Sequence, residues 1–199
     1  MRLHDTPQSG NGYKVRLLLT RLNIPFERVL YDIDKGETRT AEFLARVNPN
    51  GRVPVLEIAP DFLLAESNAI LWYLAEGTPF LADDRRRRAE TLQWLFFEQY
   101  SHEPNIATPR YWITHRVLDP LREAQLPGKT EQGYAALGVL ERRLEGHPFL
   151  VGDRYGIADI ALYAYTHVAG EGGFDLGRFP ALRRWLARVA AEPRHVVIE

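Results

Sequence analysis

The chain has 199 residues, enough for one large domain or two small ones, and its 45% hydrophobic and 26% charged residues are typical of a soluble globular protein. A net charge of -1 argues against nucleic acid or an anionic membrane as a partner. The absence of cysteine excludes a disulfide framework and a protein thiolate, so any sulfur chemistry needs a thiol that the ligand brings. The N-terminus lacks the apolar core of a signal peptide, and we expect a cytoplasmic location.

The first part of the chain predicts alternating strands and helices. Residues 2–5 suggest a strand, and the apolar spacing after the turn TPQSGNG predicts an amphipathic helix with Lys14 and Arg16 off its apolar face. The elements expected next are a strand over 26–33, a helix over 40–47 capped by Thr40, strands over 53–58 and 62–65, and a helix over 67–75. The order βαβα followed by ββα is the thioredoxin-like layout.

The remainder of the chain predicts helices only. Helical periodicity runs over residues 85–102, 130–144, 159–169 and 180–191, with no convincing strand. Pro104 and Pro109 are expected to bend or split the first long helix. The predicted division is a first domain over 1–76, a linker over 77–87 and an all-helical domain over 88–199.

Residues 48–74, NPNGRVPVLEIAPDFLLAESNAILWYL, carry the features of a ligand site. A proline at the mouth of a strand cannot donate to the sheet, and a cis bond between Val53 and Pro54 would turn the polar groups of Val53 outward. Ser67 is a favourable helix N-cap, the amides after it favour a carboxylate, and Glu66 suits an ammonium. The stretch therefore predicts a site for the charged ends of a peptide-like ligand.

Three segments match one family in combination. They are VPVL at residues 53–56, LAESNAILWYL at 64–74 and GDRYGIADIAL at 152–162. Together they resemble the cytosolic glutathione transferases, and the resemblance covers essentially the whole chain. The stretch SGNGYKVRLLL at residues 9–19 looks most like the bacterial members with a Ser or Thr at the glutathione sulfur. The resemblance implies a thioredoxin-like α/β N-terminal domain, an all-α C-terminal domain, and a dimeric detoxification enzyme that uses glutathione as a co-substrate and no metal.

The resemblance also implies how the chain would hold most of glutathione. Val53 would pair through its backbone with the cysteinyl part, and Pro54 would be the family's cis-proline. Glu66 and Ser67 would hold the γ-glutamyl amino and carboxylate groups. Arg52 would suit the glycyl carboxylate.

The remaining implied contacts concern the sulfur and the glycine end. Ser9 would donate a hydrogen bond to the glutathione sulfur, with Asn11 as a neighbouring polar donor. Thr6 is the alternative for the activating hydroxyl, and Thr38 would make a weaker contact to the glycine end.

A hydroxyl such as that of Ser9 is sufficient in principle for this chemistry. A free thiol has a pKa of about 8.5, and lowering it by about two units needs about 2.7 kcal/mol of preferential thiolate stabilisation. A hydrogen bond to a charged partner supplies about 1.5–3 kcal/mol, and a helix N-terminus adds about 0.3–1 kcal/mol. Ser9 need not act as a base. The alternative is that Ser9 and Asn11 only cap the first helix.

The proline-containing helical region would, by the resemblance, form the second-substrate pocket. The alternative for each of its residues is ordinary core packing. The residues expected in this pocket are Thr6, Glu103, Ile106, Arg110, Tyr111 and Trp112.

Two further features have structural interpretations. Asp159 is expected to accept the backbone N–H of Gly156 as half of a capping box, so that Asp159→Ala would cost about 1–2 kcal/mol without affecting chemistry. The basic run over residues 85–88 lacks interleaved aromatics and is interpreted as a solvated helix face or subunit contact. The six histidines show no metal-binding spacing.

The main functional hypothesis is a glutathione transferase in which Ser9 stabilises a thiolate that attacks an electrophilic small molecule. One alternative is a glutathione-dependent disulfide-bond reductase or peroxidase that uses two glutathiones. The other is a non-catalytic glutathione-binding or scaffold protein.

Overall fold

The computed structural model describes all residues from Met1 to Glu199. The chain divides into two compact units, Met1–Glu76 with Pro193–Glu199, and Gly77–Glu192. The sequence prediction assigned residues 193–199 to the helical domain, but these residues pack on the first unit. There the hydroxyl of Tyr13 donates to the carbonyl of Val196 at 2.7 Å, and Arg28 pairs with Glu199 at 2.5 Å.

The first unit is a four-stranded mixed sheet with helices. Its elements are β1 (Arg2–Asp5), α1 (Gly10–Arg21), β2 (Glu27–Leu30), a 3-10 turn (Glu37–Arg39), α2 (Ala41–Arg46), β3 (Val55–Ala59), β4 (Phe62–Ala65) and α3 (Ser67–Ala75). The strand order is β2-β1-β3-β4, with β1 parallel to β2 and antiparallel to β3. The predicted thioredoxin-like layout is confirmed. Strand β2 is shorter than expected because Asp32 accepts from the amides of the next residues and turns the chain.

Helix α1 is buried on more sides than its sequence pattern suggests. Lys14 and Arg16 are 0% and 4% exposed, so their predicted place away from the buried face is wrong. Arg16 pairs with Asp5 at 2.5 Å and donates to the carbonyl of Pro7 at 2.7 Å. Lys14 donates to Asn11 at 2.8 Å. Burial of both cations is possible because each has polar partners inside the unit.

The second unit is all-helical. Its elements are α4 (Arg85–Phe97), one wider π-helical turn (Glu98–His102), α5 (Glu103–Thr114), α6 (Pro120–Leu144), α7 (Ile157–Thr166), a 3-10 turn (Ala169–Gly172) and α8 (Pro180–Ala190). Helix α4 begins at residue 85, as its periodicity predicts, and so overlaps the end of the predicted linker. Asp84 caps it by accepting the N–H of Arg87 at 2.9 Å. Helix α6 begins well before the predicted Thr130, because Asp119 caps it in the same way.

The first long helix is divided at the start of the proline-containing segment, as predicted, by the π-helical turn that ends at His102. The π-helical turn precedes α5, so Pro104, which lacks an N–H, falls in the first turn of the new helix, where none is needed. Pro109 lies inside α5. None of the helices combines the length and the hydropathy that a bilayer crossing requires.

The buried carboxylate of Asp159 accepts three hydrogen bonds from different parts of the helical unit. It accepts the predicted N–H of Gly156 at 3.1 Å, and also the N–H of Leu150 at 3.0 Å and Nε1 of Trp185 at 2.8 Å. The side chain is completely buried. Burial raises the pKa of Asp159 to about 6, although the three donors favour its charged form.

Candidate functional site

Ser9 opens helix α1. It is the N-cap residue, with φ -71° and ψ 119°, and its Oγ accepts the backbone N–H of Gly12 at 3.1 Å. The hydroxyl hydrogen is not used by this bond, so Ser9 can cap the helix and still donate to a second acceptor. Thr6, the alternative hydroxyl, is buried, and its carbonyl accepts the N–H of Ser9 at 3.1 Å.

Asn11, Lys14 and Ser67 form one side-chain network. Oδ1 of Asn11 accepts from Nζ of Lys14 at 2.8 Å and from Oγ of Ser67 at 3.2 Å. Nζ of Lys14 is 3.4 Å from Oγ of Ser67. Asn11 lies in the first turn of α1 and Ser67 is the first residue of α3, so the network joins the N-termini of two helices, where partial positive charge accumulates.

Helix α3 begins at Ser67 as predicted, but its N-cap residue differs from the sequence prediction. Glu66 is the N-cap residue and Ser67 already lies inside the helix, so the predicted N-cap role of Ser67 is wrong. The physical reason is the Ser67 hydroxyl's bond to Asn11 in place of a bond to its own helix. Glu66 is exposed and has a φ of +69°, a conformation that is costly for a residue with a side chain.

The Val53–Pro54 peptide bond is cis, as predicted. Val53 lies just outside the sheet, whose ladder in β3 begins at Val55. Its backbone is therefore placed at the mouth of a strand, next to the loop that precedes it. Arg52 in that loop is exposed, and Thr38 is buried in the 3-10 turn.

Two residues near these positions were missed in the sequence. Asn48 is buried and shapes the loop before Val53, because Nδ2 donates to the carbonyl of Arg52 at 2.9 Å and Oδ1 accepts the N–H of Asn50 at 3.0 Å. The asparagine-rich turn NPNG was the available signal. Lys14 was read as a surface cation, and nothing in its spacing marks it as buried.

An ion cluster lies under the first turn of α1. Asp5 is fully buried, and its Oδ2 is 2.5 Å from Nη1 of Arg16 and 3.2 Å from Nη2 of Arg28. Burial raises the pKa of Asp5, against the lowering effect of both guanidinium groups. Gly12 faces this carboxylate closely, so the ion cluster fixes the position of the turn that begins at Ser9.

Four of the five residues predicted for a second-substrate pocket in the helical unit follow the spacing of one helix face. Along α5 these four are Glu103, Ile106, Arg110 and Tyr111, and Trp112 departs from that spacing. Ile106 is fully buried, which fits the alternative of core packing, and its place in the pocket stays a prediction. Nε of Arg110 donates to Glu171 at 2.7 Å. For Thr6, Glu103, Arg110, Tyr111 and Trp112 the pocket stays a prediction.

Two cavities lie away from the residues predicted to hold glutathione. One of about 560 Å³ is in the helical unit, lined by residues 77–84, 151 and 153–158 among others. The other, of about 480 Å³, is in the first unit and is lined in part by His4, Tyr31 and Glu57. Burial lowers the pKa of His4, whose Nδ1 is 2.8 Å from the hydroxyl of Tyr31. No group of three or more His, Asp or Glu side chains is arranged to hold a metal ion.

Family models match most of the chain. The model described as "Glutathione S-transferase, N-terminal domain" matches residues 1–76, and the model described as "Glutathione S-transferase, C-terminal domain" matches residues 102–193. Among curated relatives, the disulfide-bond oxidoreductase YfcG of Escherichia coli is 33% identical over 192 residues, which cover 92% of this chain and 87% of YfcG.

Two solved structures are also similar. A glutathione S-transferase from Pseudomonas fluorescens has a TM-score of 0.95 and 49% identity, with 99% of this chain and 98% of that chain covered. A glutathione transferase from Burkholderia graminis, with two glutathione molecules bound per subunit, has a TM-score of 0.83 and 30% identity, with 97% and 84% covered.

Proposed function

This chain belongs to the glutathione S-transferase family and is a glutathione transferase, and from that premise we propose that Ser9 stabilises the thiolate of bound glutathione for attack on an electrophilic small molecule. The observation that carries the proposal is the position of the Ser9 hydroxyl. Its oxygen accepts the N–H of Gly12 at 3.1 Å, so its hydrogen is available to an anion at the N-terminus of α1.

Glutathione would lie across the first unit in an extended form. Its cysteinyl backbone would pair with Val53 beside Pro54, and its glycyl carboxylate would lie near Arg52 and Thr38. The exposed carboxylate of Glu66 supports a contact to the γ-glutamyl ammonium. The amides at the start of α3, which begins at Ser67, support a contact to the γ-glutamyl carboxylate.

The transferase reaction then needs no protein nucleophile. The thiolate sulfur forms a bond to the electrophilic carbon, and the leaving group departs with its electron pair. Ser9 donates its hydrogen bond throughout and gives up no proton, so its contribution is electrostatic. Asn11 supplies a second donor from the same turn.

A second candidate is a glutathione-dependent disulfide-bond reductase, with peroxidase activity as its variant. It is favoured by the similarity to a protein named a disulfide-bond oxidoreductase and to a transferase with two bound glutathiones. Two glutathione thiols would reduce one disulfide to two thiols and leave as glutathione disulfide, so electrons and protons balance without a protein cysteine. The chain has no cysteine, which fits this scheme.

The test is calorimetric binding of glutathione followed by turnover with an aryl halide and with a mixed disulfide. Turnover of the aryl halide that falls in Ser9→Ala supports the transferase. Turnover of the disulfide alone, with two glutathiones bound per chain, favours the reductase. Binding without turnover supports the third hypothesis, a non-catalytic binding protein, and absence of binding contradicts the whole proposal.

We also propose a homodimer, by similarity to the family. The helical unit exposes Leu92, Phe96 and Tyr100 at helical spacing, and the first unit exposes Phe62 and Tyr73, whose rings contact each other. Exposed aromatic side chains are enriched in protein interfaces. Light scattering of the purified protein decides between a dimer and a monomer.

A further inference from the structure

The loop before Val53 is closed around the side chain of Asn48. Nδ2 of Asn48 donates to the carbonyl of Arg52 at 2.9 Å, and Oδ1 accepts the N–H of Asn50 at 3.0 Å. The backbone carbonyl of Asn48 accepts the N–H of Gly51 at 2.9 Å. Asn48 is only 6% exposed, so these bonds are shielded from water and hold the loop in one conformation.

The amide of Asn48 makes these bonds in only one orientation. A backbone carbonyl only accepts hydrogen bonds and a backbone N–H only donates them, so the NH2 group must face Arg52 and the amide oxygen must face Asn50. The reversed amide would place oxygen against oxygen and N–H against N–H. The Asn48 side chain therefore fixes the direction of the Arg52 carbonyl.

The direction of this carbonyl also sets the direction of the Val53 N–H. The peptide group between Arg52 and Val53 is trans and planar, so its C=O and its N–H point to opposite sides of the chain. The carbonyl faces Asn48, and the N–H of Val53 therefore faces away from Asn48. No hydrogen bond within the protein uses this N–H, since the ladder of β3 begins at Val55. A half-buried backbone donor is satisfied by water or by a ligand.

We propose that Asn48 is a positioning residue for the backbone of glutathione: by holding the carbonyl of Arg52, it directs the N–H of Val53 toward the cysteinyl carbonyl of glutathione. The inference rests on the proposed function, because it requires the cysteinyl part to pair with Val53. Without Asn48 the peptide group between Arg52 and Val53 is free to turn over, and the turned group presents an acceptor where the ligand needs a donor. Only the correctly oriented fraction of molecules then binds, so the apparent dissociation constant rises in inverse proportion to that fraction.

The test is calorimetric titration of glutathione into the parent protein and into Asn48→Ala. We expect the dissociation constant to rise about tenfold, which corresponds to about one molecule in ten with the Val53 N–H correctly directed. In turnover, the KM for glutathione should rise about as much, whereas kcat at saturating glutathione should stay near the parent's value, because bound glutathione selects the competent orientation. A merely structural role would lower stability and leave KM unchanged. An unchanged dissociation constant in folded Asn48→Ala overturns the inference.

Asn48→Asp keeps the test decisive if Asn48→Ala fails to fold. Aspartate has nearly the same shape, and its carboxylate still accepts the N–H of Asn50, but an oxygen replaces the donor that faces the carbonyl of Arg52. Two acceptors that face each other repel, so this variant should favour the turned peptide group and raise the dissociation constant about tenfold or more. The titration is made at high salt, which screens the added charge. An affinity equal to the parent's contradicts the role of Asn48.

Asn105→Ala is the matched control. Asn105 is also 6% exposed, and its Nδ2 likewise donates to a backbone carbonyl, that of Ser101, at 2.8 Å. Asn105 belongs to the helical unit, and its partner is not part of the loop before Val53. Its loss should cost stability and leave the dissociation constant of glutathione at the parent's value. An equal rise in Asn105→Ala and Asn48→Ala would mean that any buried asparagine has this effect, and would overturn the specific role of Asn48.

Failure of this inference and failure of the proposed function give different results. If the parent binds glutathione and the Asn48 variants bind it equally well, only the inference fails. If the parent does not bind glutathione, the proposed function fails, and the orientation of the peptide group is then measured without ligand by NMR. The three-bond coupling between the amide and α hydrogens of Val53 depends on its φ, which changes when the peptide group turns over. We expect that coupling to change in Asn48→Ala and to keep the parent's value in Asn105→Ala, and an unchanged coupling in Asn48→Ala overturns the inference.

Discussion

Gly12 leaves room for the carboxylate of Asp5: a Cβ atom on residue 12 would overlap Oδ1 of that buried side chain. The carboxylate cannot easily move aside, because its other oxygen forms ion pairs with Arg16 at 2.5 Å and Arg28 at 3.2 Å. The first turn of α1, which starts at Ser9, is therefore set by an ion cluster beneath it.

We predict that Gly12→Ala lowers the free energy of unfolding by about 2 kcal/mol, because overpacking a rigid buried site outweighs the helix propensity gained. Chemical denaturation measures the change. Gly138→Ala in α6 is the control, since the nearest atom to its added Cβ is 3.6 Å away, and it should be neutral or stabilising by up to about 1 kcal/mol. Equal stability of Gly12→Ala and the parent would contradict the crowding.

Glu66 combines an unfavourable backbone with a proposed ligand contact. Its φ is +69°, which glycine adopts without strain. We predict that Glu66→Gly is more stable than Glu66→Ala by about 1 kcal/mol, whereas both weaken glutathione binding by about 10- to 100-fold through loss of a charge-assisted bond. Denaturation and calorimetry on the two variants separate these effects. Glutathione affinity equal to the parent's in both would remove Glu66 from the site.

Asp159 should make stability depend on pH. Burial raises the pKa of Asp159 in the folded chain to about 6, from 3.8. Between these two pH values the folded state binds a proton that the unfolded state lacks. The stability that this proton contributes is therefore present in full below pH 3.8 and is lost as pH rises through about 6. We predict that the stability of the parent relative to Asp159→Asn falls by about 2 kcal/mol between pH 4 and pH 7. A difference that is constant with pH would contradict the raised pKa.

Ser9→Ala should affect folding and turnover together. It removes a helix cap, which costs about 1 kcal/mol of stability, and a donor to the thiolate, which lowers turnover below the thiol pKa by about 10- to 100-fold. Ser9→Thr keeps the hydroxyl, so it should keep most of the stability and most of the turnover of the parent. Steady-state kinetics and denaturation on the three proteins measure the two effects. Loss of stability with unchanged turnover would leave Ser9 as a cap only.

The fold was predictable because its signals are local. The apolar periods, the turn at Asn48–Gly51 and the Val53-Pro54 pair each specify backbone geometry through nearby residues, and β4 and α3 have the bounds that their patterns predict. The bond from Asp159 to Gly156 was predictable for the same reason, since three residues separate the partners. The bonds of Asp159 to Leu150 and Trp185 depend on tertiary packing, so they could not be predicted from nearby residues.

The parts of the site that escaped prediction depend on long-range contacts. Lys14 has the spacing of a surface residue, and its approach to Ser67, far along the chain, is a tertiary contact that its sequence pattern does not indicate. The Ser67 hydroxyl was assigned to its own helix because a cap is the usual local partner, yet its acceptor is Asn11 on another helix. The prolines of α5 located the break in the first long helix, but the π-helical turn that forms it has no sequence signature.

The most direct test of the central claim is the pH titration of the glutathione thiol bound to the parent protein and to Ser9→Ala. We predict a bound-thiol pKa about two units below the free value of about 8.5 in the parent. In Ser9→Ala we predict a rise of about one to two units from the parent's value. A bound thiol that titrates like free glutathione, or an equally low pKa in Ser9→Ala, would contradict the assignment of Ser9 as the group that stabilises the thiolate.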